Sequence, residues 1–544
     1  MRGALTCCIA LLFSATAFGQ QRFSRADTLR GSITPQRSWW DVTKYDLHVT
    51  VHPEDSTFSG YNTITYKVLK QDSVLQIDLQ YPMQIDSVTQ DKQSLRVTRD
   101  SNAWFVTVKS PQLKDKSKQL TVHFSGKPRR AANAPWSGGV IWTKDEKDRT
   151  WMATAVQHIG ASLWWPNKDH QSDEPEEMLI NVTVPQELTD VSNGRLKKVA
   201  DNPDGTRTFT WVVNSPINNY DVALNVGYYT EIKDAYSGEG GKLDISYWVL
   251  DYNKDKATEH FKVVKPMLKC FEYWFGKYPF YKDSYKLVDA PYLGMEHQSA
   301  VAYGNNYQMG YKGTDLSGTG WGLKWDFIVV HESGHEWFGN SITSKDIADM
   351  WIHESFTNYS ETLFVECQYG RKAANEYVQG IRKNIRNDIP IIGPYGVNEE
   401  GSGDMYYKGA NMIHMIRQIM ENDEAFRDML RGMNKTFYHQ VVTTRQIEEY
   451  MSQYVGMNLE KVFDQYLRHT TIPTLEYRFI GQQLQFRWVS DVKDFNMPVK
   501  VKLNENGFKL IYPGTLWHTA NFTLSNTKDF EVDKNFYIHT KQVK

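Results

Sequence analysis

Residues 329–340 have the sequence VVHESGHEWFGN, and the interpretation of the whole chain starts from them. His331 and His335 stand four residues apart, Glu332 follows the first histidine, and an apolar run leads in. Side chains four residues apart on a helix share a face, so both imidazoles can reach one zinc ion at about 2.0–2.1 Å. Glu332 can then approach a water at the metal without binding the metal itself. The alternative is a helix with two hydrogen-bonded structural histidines.

A third ligand is available further along the chain. A catalytic zinc site needs three protein ligands and one open position. After His335 the helical pattern stops at 338–340, and IADMWIHESFTNYSETLFVE at 347–366 is helical again. Eighteen residues separate His335 from Glu354, and a helix–loop–helix hairpin of that length can bring Glu354 back over the first helix. The spacing therefore predicts a His2Glu set that binds one Zn2+ per chain.

Other polar residues adjoin the predicted ligands. Glu361 lies two turns beyond Glu354 on the same helix face. It is expected to accept a hydrogen bond from a ligand imidazole and fix its tautomer, and the alternative is a solvated carboxylate. Glu336 and His353 should face other sides of their helices, so we expect them to be structural.

The composition limits the class of protein. A chain of 544 residues is long enough for about three domains of 100–200 residues each. Its 62 Lys and Arg nearly balance its 64 Asp and Glu, without a basic stripe or an acidic tail. The sequence therefore gives no reason to expect a nucleic-acid partner.

The first twenty residues, MRGALTCCIALLFSATAFGQ, differ in composition from the rest. Arg2 is followed by an apolar run at 4–13 and by the small-x-small sequence Ala17-Phe18-Gly19. This order predicts a secretory signal peptide over 1–19. A membrane anchor is the alternative, but the run is too short for about 30 Å of hydrocarbon. We expect an exported protein, periplasmic or extracellular, without a membrane span.

Two cysteines remain beyond the predicted signal peptide, Cys270 and Cys367. Two cysteines in a chain of this size are not a disulfide framework. We expect two buried thiols, with a disulfide between them as the alternative.

The hydrophobic period changes twice along the chain. Segments such as YDLHVTVHP and TFTWVVN, between about residues 22 and 230, alternate apolar with polar residues and predict an antiparallel β domain. Helical patterns dominate from about 257 to 467, and strand patterns return from about 471. The predicted domains are an N-terminal antiparallel β domain at 20–232, a catalytic α+β domain at 233–470 and a small β domain at 471–544.

The motifs resemble the zinc aminopeptidase family of aminopeptidase N and leukotriene hydrolase, the gluzincins. HESGHEWFGN resembles the family's HExxHxWFGN, and WIHESF at 351–356 resembles its WLNEGF. By position, the resemblance implies zinc ligands at His331, His335 and Glu354. It also implies Glu332 as the general base and Glu361 as the partner of a ligand histidine.

An upstream segment resembles the family's GxMEN exopeptidase motif. It has the sequence Leu293-Gly294-Met295-Glu296-His297, with Leu and His where the family has its first Gly and its Asn. The resemblance implies that Glu296 binds the free amino group of the substrate and that Gly294 and Met295 also contact the substrate. A carboxylate near the metal would pair with the ammonium and set the register at one residue.

Two further residues are assigned through the resemblance alone. Tyr406-Tyr407-Lys408-Gly409 is similar to the family's Y-x-K-G, which implies that Tyr406 donates to the oxyanion, with Tyr407 as its rival. Gln157 falls where the family has a Gln or Glu that helps to hold the substrate amine.

The resemblance implies a β saddle, a thermolysin-like catalytic domain and a small β domain, without the C-terminal helical domain of many family members. It implies a zinc aminopeptidase acting on peptides with a free N-terminus. Three alternatives stay open: a thermolysin-like zinc endopeptidase, an epoxide hydrolase, and an inactive peptide-binding relative.

Overall fold

The structure is a computed structural model that describes residues 23–502, 507–523 and 530–544. The predicted signal peptide lies outside this range. The first elements are helix α1 (Arg25–Gly31) and the strands β1 (Trp40–His52), β2 (Thr57–Val68), β3 (Asp72–Asp78), β4 (Gln84–Gln90), β5 (Gln93–Ser94), β6 (Arg96–Asp100), β7 (Ala103–Gln112), β8 (Ser117–Gly126), β9 (Gly139–Lys144), β10 (Thr150–Ala155), β11 (Glu177–Pro185), β12 (Thr189–Val191), β13 (Arg195–Asp201), β14 (Thr206–Val213) and β15 (Asn225–Gly227).

These strands form three sheets around a common apolar core. Their orders are β13-β14-β11-β1-β2-β8-β4-β5, β3-β7-β6 and β12-β15-β10-β9. Alternate residues of β1, such as Leu47 and Val49, are buried, as the period of two predicts. The prediction of an antiparallel domain was wrong in one place, because β1 pairs in parallel with β11, from Lys44↔Glu177 to Thr50↔Thr183. Parallel neighbours require a long crossover connection, and here all of β2 to β10 lies between them.

The middle of the chain combines a sheet with helices. Its strands are β16 (Tyr229–Gly238), β17 (Gly241–Leu250), β18 (Tyr285–Asp289), β19 (Gly294–Met295), β20 (Val301–Tyr303), β21 (Ile342–Ser344) and β22 (Gln440–Val442). Its helices are α2 (Lys254–His260), α3 (Val264–Phe275), α4 (Phe327–Gly334), α5 (Trp351–Tyr369), α6 (Arg371–Gly380), α7 (Asp404–Met420), α8 (Asp423–Thr436), α9 (Thr444–Val455) and α10 (Glu460–Phe463). The main sheet has the order β16-β17-β18-β20-β19, so β19 lies at its edge.

Strands return at the C-terminal end as predicted. They are β23 (Thr474–Ile480), β24 (Gln483–Val489), β25 (Val499–Lys502), β26 (Phe508–Ile511), β27 (His518–Thr523), β28 (Glu531–Val532) and β29 (His539–Gln542). Because helices occupy much of 404–468, the expected lack of a C-terminal helical domain stays a prediction. The domain limits also stay a prediction, although a limit before Tyr229 would keep β16 whole.

A disulfide joins two helices of the catalytic region. Cys270 on α3 and Cys367 on the last turns of α5 have their sulfurs 2.17 Å apart and their Cα atoms 6.1 Å apart. The expectation of two buried thiols was therefore wrong. The two positions are 97 residues apart in the sequence, and the packing of α3 on α5 brings them together.

None of the helices within the described ranges is both long and apolar enough to cross a bilayer.

Candidate active site

The histidine helix α4 begins at a capped position. Asp326 accepts a hydrogen bond from the Val329 amide at 3.1 Å, which satisfies one free N–H of the first turn. Its other oxygen accepts the Tyr303 hydroxyl at 2.7 Å and lies 2.6 Å from His260 Nε2. The start of the helix is thereby fixed to β20 and α2.

The end of α4 differs from the prediction. The helix ends at Gly334, before the expected stop at 338–340, and His335 is its C-cap residue with helical dihedrals. A Cβ on Gly334 would lie 2.6 Å from Ser360 Oγ on α5, so glycine permits the close approach of the two helices. This approach brings His335 to the first turn of α5, where Glu354 lies.

The three predicted ligands converge. Glu354 Oε2 lies 3.6 Å from His331 Nε2 and 3.4 Å from His335 Nε2, and all three side chains are buried. The Nδ1 atoms face away from this point. His331 Nδ1 lies 2.7 Å from Glu361 Oε1, and His335 Nδ1 lies 3.0 Å from the Phe338 carbonyl. Both acceptors favour a proton on Nδ1, which leaves the Nε2 lone pairs free for a metal.

This arrangement fits a zinc ion. Glu354 Oε2 is buried and has no hydrogen-bond partner among the described residues. Two atoms that each lie about 2.05 Å from a tetrahedral ion are roughly 3.3 Å apart, close to the separations from Glu354 Oε2 to both imidazoles. Although burial opposes its charge, the two histidines hold the pKa of Glu354 well below its ordinary value. With their Nδ1 atoms paired to other acceptors, the two imidazoles can each turn an Nε2 lone pair to a metal beside the Glu354 carboxylate, and two such nitrogens with one carboxylate form a catalytic zinc set.

Glu332 lies beside this set, next to the edge strand β19. A Cβ on Gly294 would lie 3.0 Å from Glu332 Oε1 and 2.6 Å from Ile328 Cγ2, so the glycine gives the carboxylate its room. Burial raises the pKa of Glu332 to about 7. The nearby charge of His331 lowers this pKa, and the negative charge of Glu296 raises it. The side chain is suited to accept a proton near neutral pH.

A second carboxylate closes one end of the site. The ligating atoms of Glu296, Glu332 and His335 all lie within 4.8 Å of one another. Glu296 Oε1 accepts hydrogen bonds from Gln157 Nε2 and, at 3.1 Å, from the Tyr220 hydroxyl. Because those donors already hold Glu296, whereas Glu354 Oε2 has none, we assign the metal to the set that contains Glu354.

Gly294 and Met295 differ in which of their atoms are available to a substrate. The Met295 side chain is buried with Ala153, Ala155 and Tyr292 in a small apolar cluster, so only its backbone is available at the strand edge. His297 is fully buried, and burial lowers its pKa to about 3, which keeps it neutral.

The two rival tyrosines occupy different surroundings. The Tyr406 ring stacks on the His331 ring, with the two centroids 6.0 Å apart. Burial is the main cause of the raised pKa of Tyr406, and the negative charge of Glu354 is the next largest cause. The pKa of Tyr407 is also raised mainly by burial, but the charge that raises it most is that of Glu361, which lies behind the ligand set. Tyr406 is therefore the tyrosine on the metal side.

The two residues assigned as structural have structural contacts. Glu336 accepts hydrogen bonds from the Tyr278 hydroxyl at 2.7 Å and the Ser299 amide at 2.9 Å. His353 Nε2 accepts the Ser344 amide at 2.8 Å.

Sequence reasoning missed Tyr220 and three residues close to Gln157, namely His158, Asn398 and Glu400. His158 has a left-handed backbone, with φ of 62°, and its carbonyl accepts Asn398 Nδ2 at 2.9 Å. Its Nδ1 lies 2.9 Å from Glu400 Oε2. No local pattern marks these residues, because three distant segments of the chain supply them.

The fold and the site define a metallopeptidase class with an HExxH helix and a third, distant glutamate ligand. The sequence matches the Peptidase family M1 domain over residues 259–466 and the Peptidase M1 N-terminal domain over 42–221. The two matches together cover more than half of the chain, and the chain belongs to peptidase family M1.

Individual relatives are distant. "Probable aminopeptidase 2" of Sulfurisphaera tokodaii is 22% identical over 87% of this chain and 60% of its own length. "Puromycin-sensitive aminopeptidase" of Caenorhabditis elegans is 21% identical over 86% of this chain and 51% of its own. The chain thus spans about half to three-fifths of the length of these curated relatives.

A solved structure shares the fold. It is a mutant M1 zinc metallopeptidase from Deinococcus radiodurans bound to a Tyr-Ser-Ala substrate, 21% identical, with a TM-score of 0.67. The likeness covers 82% of this chain and 98% of that one.

Proposed function

We propose that this chain is a zinc-dependent aminopeptidase that removes one residue at a time from the N-terminus of peptides. One observation carries the proposal: the carboxylate of Glu296 lies within 4.8 Å of both Glu332 and the ligand His335. The relatives named aminopeptidases and the peptide-bound structural neighbour are consistent with this activity.

The short separation favours an aminopeptidase over an endopeptidase. Within one residue, the α-nitrogen and the carbonyl carbon are only about 2.5 Å apart. An ammonium bound to Glu296 therefore has its own carbonyl carbon beside Glu332. A preceding residue would have to occupy the space of Glu296, Gln157 and Tyr220, so an internal segment of a longer chain does not fit.

The residues divide the work as follows. Zinc held by His331, His335 and Glu354 would supply a Lewis acid that polarises the scissile carbonyl and makes water a stronger acid. Glu332 takes a proton from the attacking water and passes it to the leaving amine.

The other residues orient the substrate and stabilise charge. The Tyr406 hydroxyl donates to the oxyanion of the tetrahedral intermediate, and losing one such donor typically costs about 3–4 kcal/mol. Glu296 holds the substrate ammonium, with Gln157 and Tyr220 fixing its orientation. Gly294 and the Met295 backbone leave a strand edge open to the peptide.

A panel of aminoacyl reporter substrates, run with and without a metal chelator, tests the proposal. We expect chelator-sensitive hydrolysis of free-amine reporters and none of their N-acetylated forms. Mass spectrometry of a longer peptide should give a ladder from the N-terminus. Internal cuts, or equal cleavage of the acetylated forms, would refute the aminopeptidase assignment.

We also propose export after removal of residues 1–19. The pattern of the first twenty residues supports this, and so does the Cys270–Cys367 disulfide, because disulfides persist in oxidising compartments. In the native host, N-terminal sequencing of the mature protein should begin at Gln20, and thiol titration should find no free cysteine. A retained Met1 in a cytosolic fraction would contradict export.

A further inference from the structure

Asn340 follows the histidine helix α4 and folds back against its end. Its backbone amide donates to the carbonyl of His335 at 2.9 Å, five residues earlier in the chain. Gly339 permits this reversal because its φ is 130°, and a Cβ there would lie 3.2 Å from His335 Nδ1. The segment that folds back therefore lies against one of the proposed zinc ligands.

The side chain of Asn340 reaches the segment that carries Glu296. Its Nδ2 donates to the Glu296 carbonyl at 2.7 Å and to Glu336 Oε1 at 3.2 Å. Because both partners are acceptors, the side-chain amide must direct its nitrogen towards them. Asn340, Glu296 and Glu336 are all buried, so these hydrogen bonds are shielded from bulk water.

Glu336 holds the same segment at a second point. It is the neighbour of His335 in the chain, and its Oε1 also accepts the Ser299 amide at 2.9 Å. Ser299 has a left-handed backbone with φ of 56°, and its hydroxyl accepts the Gly194 amide at 2.9 Å. Buried hydrogen bonds therefore join the end of the histidine helix to residues 296–299.

The carboxylate and the backbone of Glu296 are held by different parts of the molecule. Gln157 and Tyr220, from the N-terminal region, donate to its Oε1. Asn340, from the catalytic region, donates to its carbonyl. Within the described chain Oε2 receives no hydrogen bond, so this oxygen is free to accept an ammonium. The first contacts orient the carboxylate, whereas the Asn340 bond fixes where Glu296 lies relative to the ligand His335.

The distance between Glu296 and the metal determines which peptide bond can be cut. Within one residue the α-nitrogen and the carbonyl carbon are about 2.5 Å apart, so both anchors must fit a single residue. The ligating atoms of Glu296 and His335 lie within 4.8 Å of each other. A displacement of about 1 Å between two such anchors can cost a large part of the rate, so the distance has to be held by the fold.

We propose that Asn340 is a positioning residue that sets the distance between the zinc centre and the ammonium-binding Glu296. It acts through two hydrogen bonds in series, from the His335 carbonyl to Asn340 and from Asn340 to the Glu296 carbonyl. The inference rests on the proposed aminopeptidase function. It makes the selection of a single N-terminal residue depend on a group that binds neither the ammonium nor the metal.

A matched pair of metal-binding inhibitors measures this distance. An aminoacyl hydroxamate can bind zinc through its hydroxamate and Glu296 through its ammonium, whereas its des-amino analogue can bind only the metal. Both carry the side chain that the reporter panel selects. The ratio of their inhibition constants, here called the amine advantage, reports how well one ligand reaches both anchors.

The amine advantage should be about tenfold or more in the wild type. Asn340→Ala should reduce it by about two- to tenfold, the typical effect of losing one hydrogen bond. The des-amino hydroxamate should bind as it does to the wild type, and zinc content should stay at one ion per chain, because the three ligands are intact. Asn340→Leu removes the same donor while keeping the size of the side chain, so it should show the same selective loss and replaces Asn340→Ala if that variant does not fold.

Thr343→Val is the matched control. Thr343 Oγ1 donates to the Gly339 carbonyl at 2.7 Å, so this buried hydroxyl also stabilises the turn, but it has no hydrogen bond to Glu296. We expect a lower melting temperature and an unchanged amine advantage. In Glu296→Ala the amine advantage should vanish, and the addition of Asn340→Ala should cause no further loss.

The outcomes separate this inference from the proposed function. An unchanged amine advantage in a folded, zinc-loaded Asn340 variant overturns the inference alone, and so does an equal loss in Thr343→Val. Equal weakening of both hydroxamates also overturns it, because Asn340 would then support the metal centre and not the distance to Glu296. If the wild type shows no amine advantage and hydrolyses acetylated reporters as fast as free ones, the proposed function fails and the inference fails with it. No amine advantage in a wild type that still requires a free amine overturns the inference alone.

Discussion

Glu332 and Glu354 are buried glutamates at one centre, and packing gives them different surroundings. Glu354 directs an unpartnered oxygen at two imidazole nitrogens, whereas Glu332 lies against Gly294 at the strand edge. The first arrangement suits a ligand and the second suits a base that faces the substrate. The distinction follows from helix geometry, because Glu332 is adjacent to a ligand histidine on α4 and points to a neighbouring face.

Glu332→Gln should abolish turnover without releasing the metal. An amide cannot take up the proton of the attacking water, so we expect kcat to fall by about 10²- to 10⁴-fold. Zinc content, measured by mass spectrometry of the metal, should stay at one ion per chain because the three ligands are intact.

Glu336→Gln provides the matched control for this variant. It alters the neighbouring buried glutamate, which bonds Tyr278 and Ser299 and does not face the substrate. We expect a lower melting temperature and a kcat close to that of the wild type. A Glu332→Gln enzyme with wild-type kcat would remove the general base from the mechanism.

The convergence of the proposed ligands could be predicted from sequence because each position follows from helical spacing. His331, His335, Glu354 and Glu361 lie on two helices, where positions in the chain translate directly into directions in space. Tyr220 and Glu400 gave no such signal, because their contact with the site depends on how distant segments pack. Gln157 and Tyr406 could be predicted only through the resemblance to a family.

At the scale of elements, the hydrophobic period and the capping residues in the sequence identify the helices, but they do not identify every helix end. The helical period of the sequence at 257–279 stops at Gly276, and α3 ends just before it, at Phe275, with Gly276 as its C-cap residue at φ 91°. The apolar pattern around the histidines continued beyond Gly334, where the helix stops. There the Asn340 amide bonds the His335 carbonyl, and the strand β21 follows. The local sequence pattern cannot predict a helix end that is set by tertiary contacts.

Strand partners and the disulfide are set by packing and not by local pattern. The alternation in β1 predicts a half-buried strand equally well for parallel and antiparallel neighbours, so its parallel pairing with β11 could not be deduced. Likewise, Cys270 and Cys367 pair because α3 lies against α5, the helix that carries Glu354 and Glu361. The bond therefore fixes the far end of the helix that carries Glu354, the proposed third ligand.

At the scale of the whole molecule, the site depends on contacts between the N-terminal and catalytic regions. A loop at 396–400, here called the bridging loop, reaches the turn that carries Gln157. Asn398 bonds the His158 carbonyl and Glu400 lies against the His158 ring. Helix α1 supports the loop from behind, because a Cβ on Gly31 would lie only 2.0 Å from the Asn398 amide nitrogen.

Weakening the bridging loop should therefore impair amine binding more than chemistry. Losing a hydrogen bond such as that of Asn398 typically costs about 0.5–1.5 kcal/mol, so Asn398→Ala should raise KM for a free-amine reporter by about two- to tenfold. A partly exposed ion pair such as that of Glu400 contributes about 0–1 kcal/mol, so Glu400→Gln should raise the same KM by up to about fivefold. The reason is that Gln157 orients Glu296, while the metal ligands and Glu332 lie on other elements. We expect kcat to change less than twofold and zinc content to be unchanged.

The contact between His158 and Glu400 allows a double-mutant test of the bridging loop. Steady-state kinetics of His158→Gln, Glu400→Gln and the double variant should show a double variant no worse than either single one, since both remove the same contact. Glu399→Gln, the adjacent residue of the bridging loop, should behave as the wild type. Its side chain has no hydrogen bond or ion pair to the rest of the described chain. Additive effects, or equal losses in kcat and KM, would mean that the loop maintains the fold and does not position the amine-binding pair.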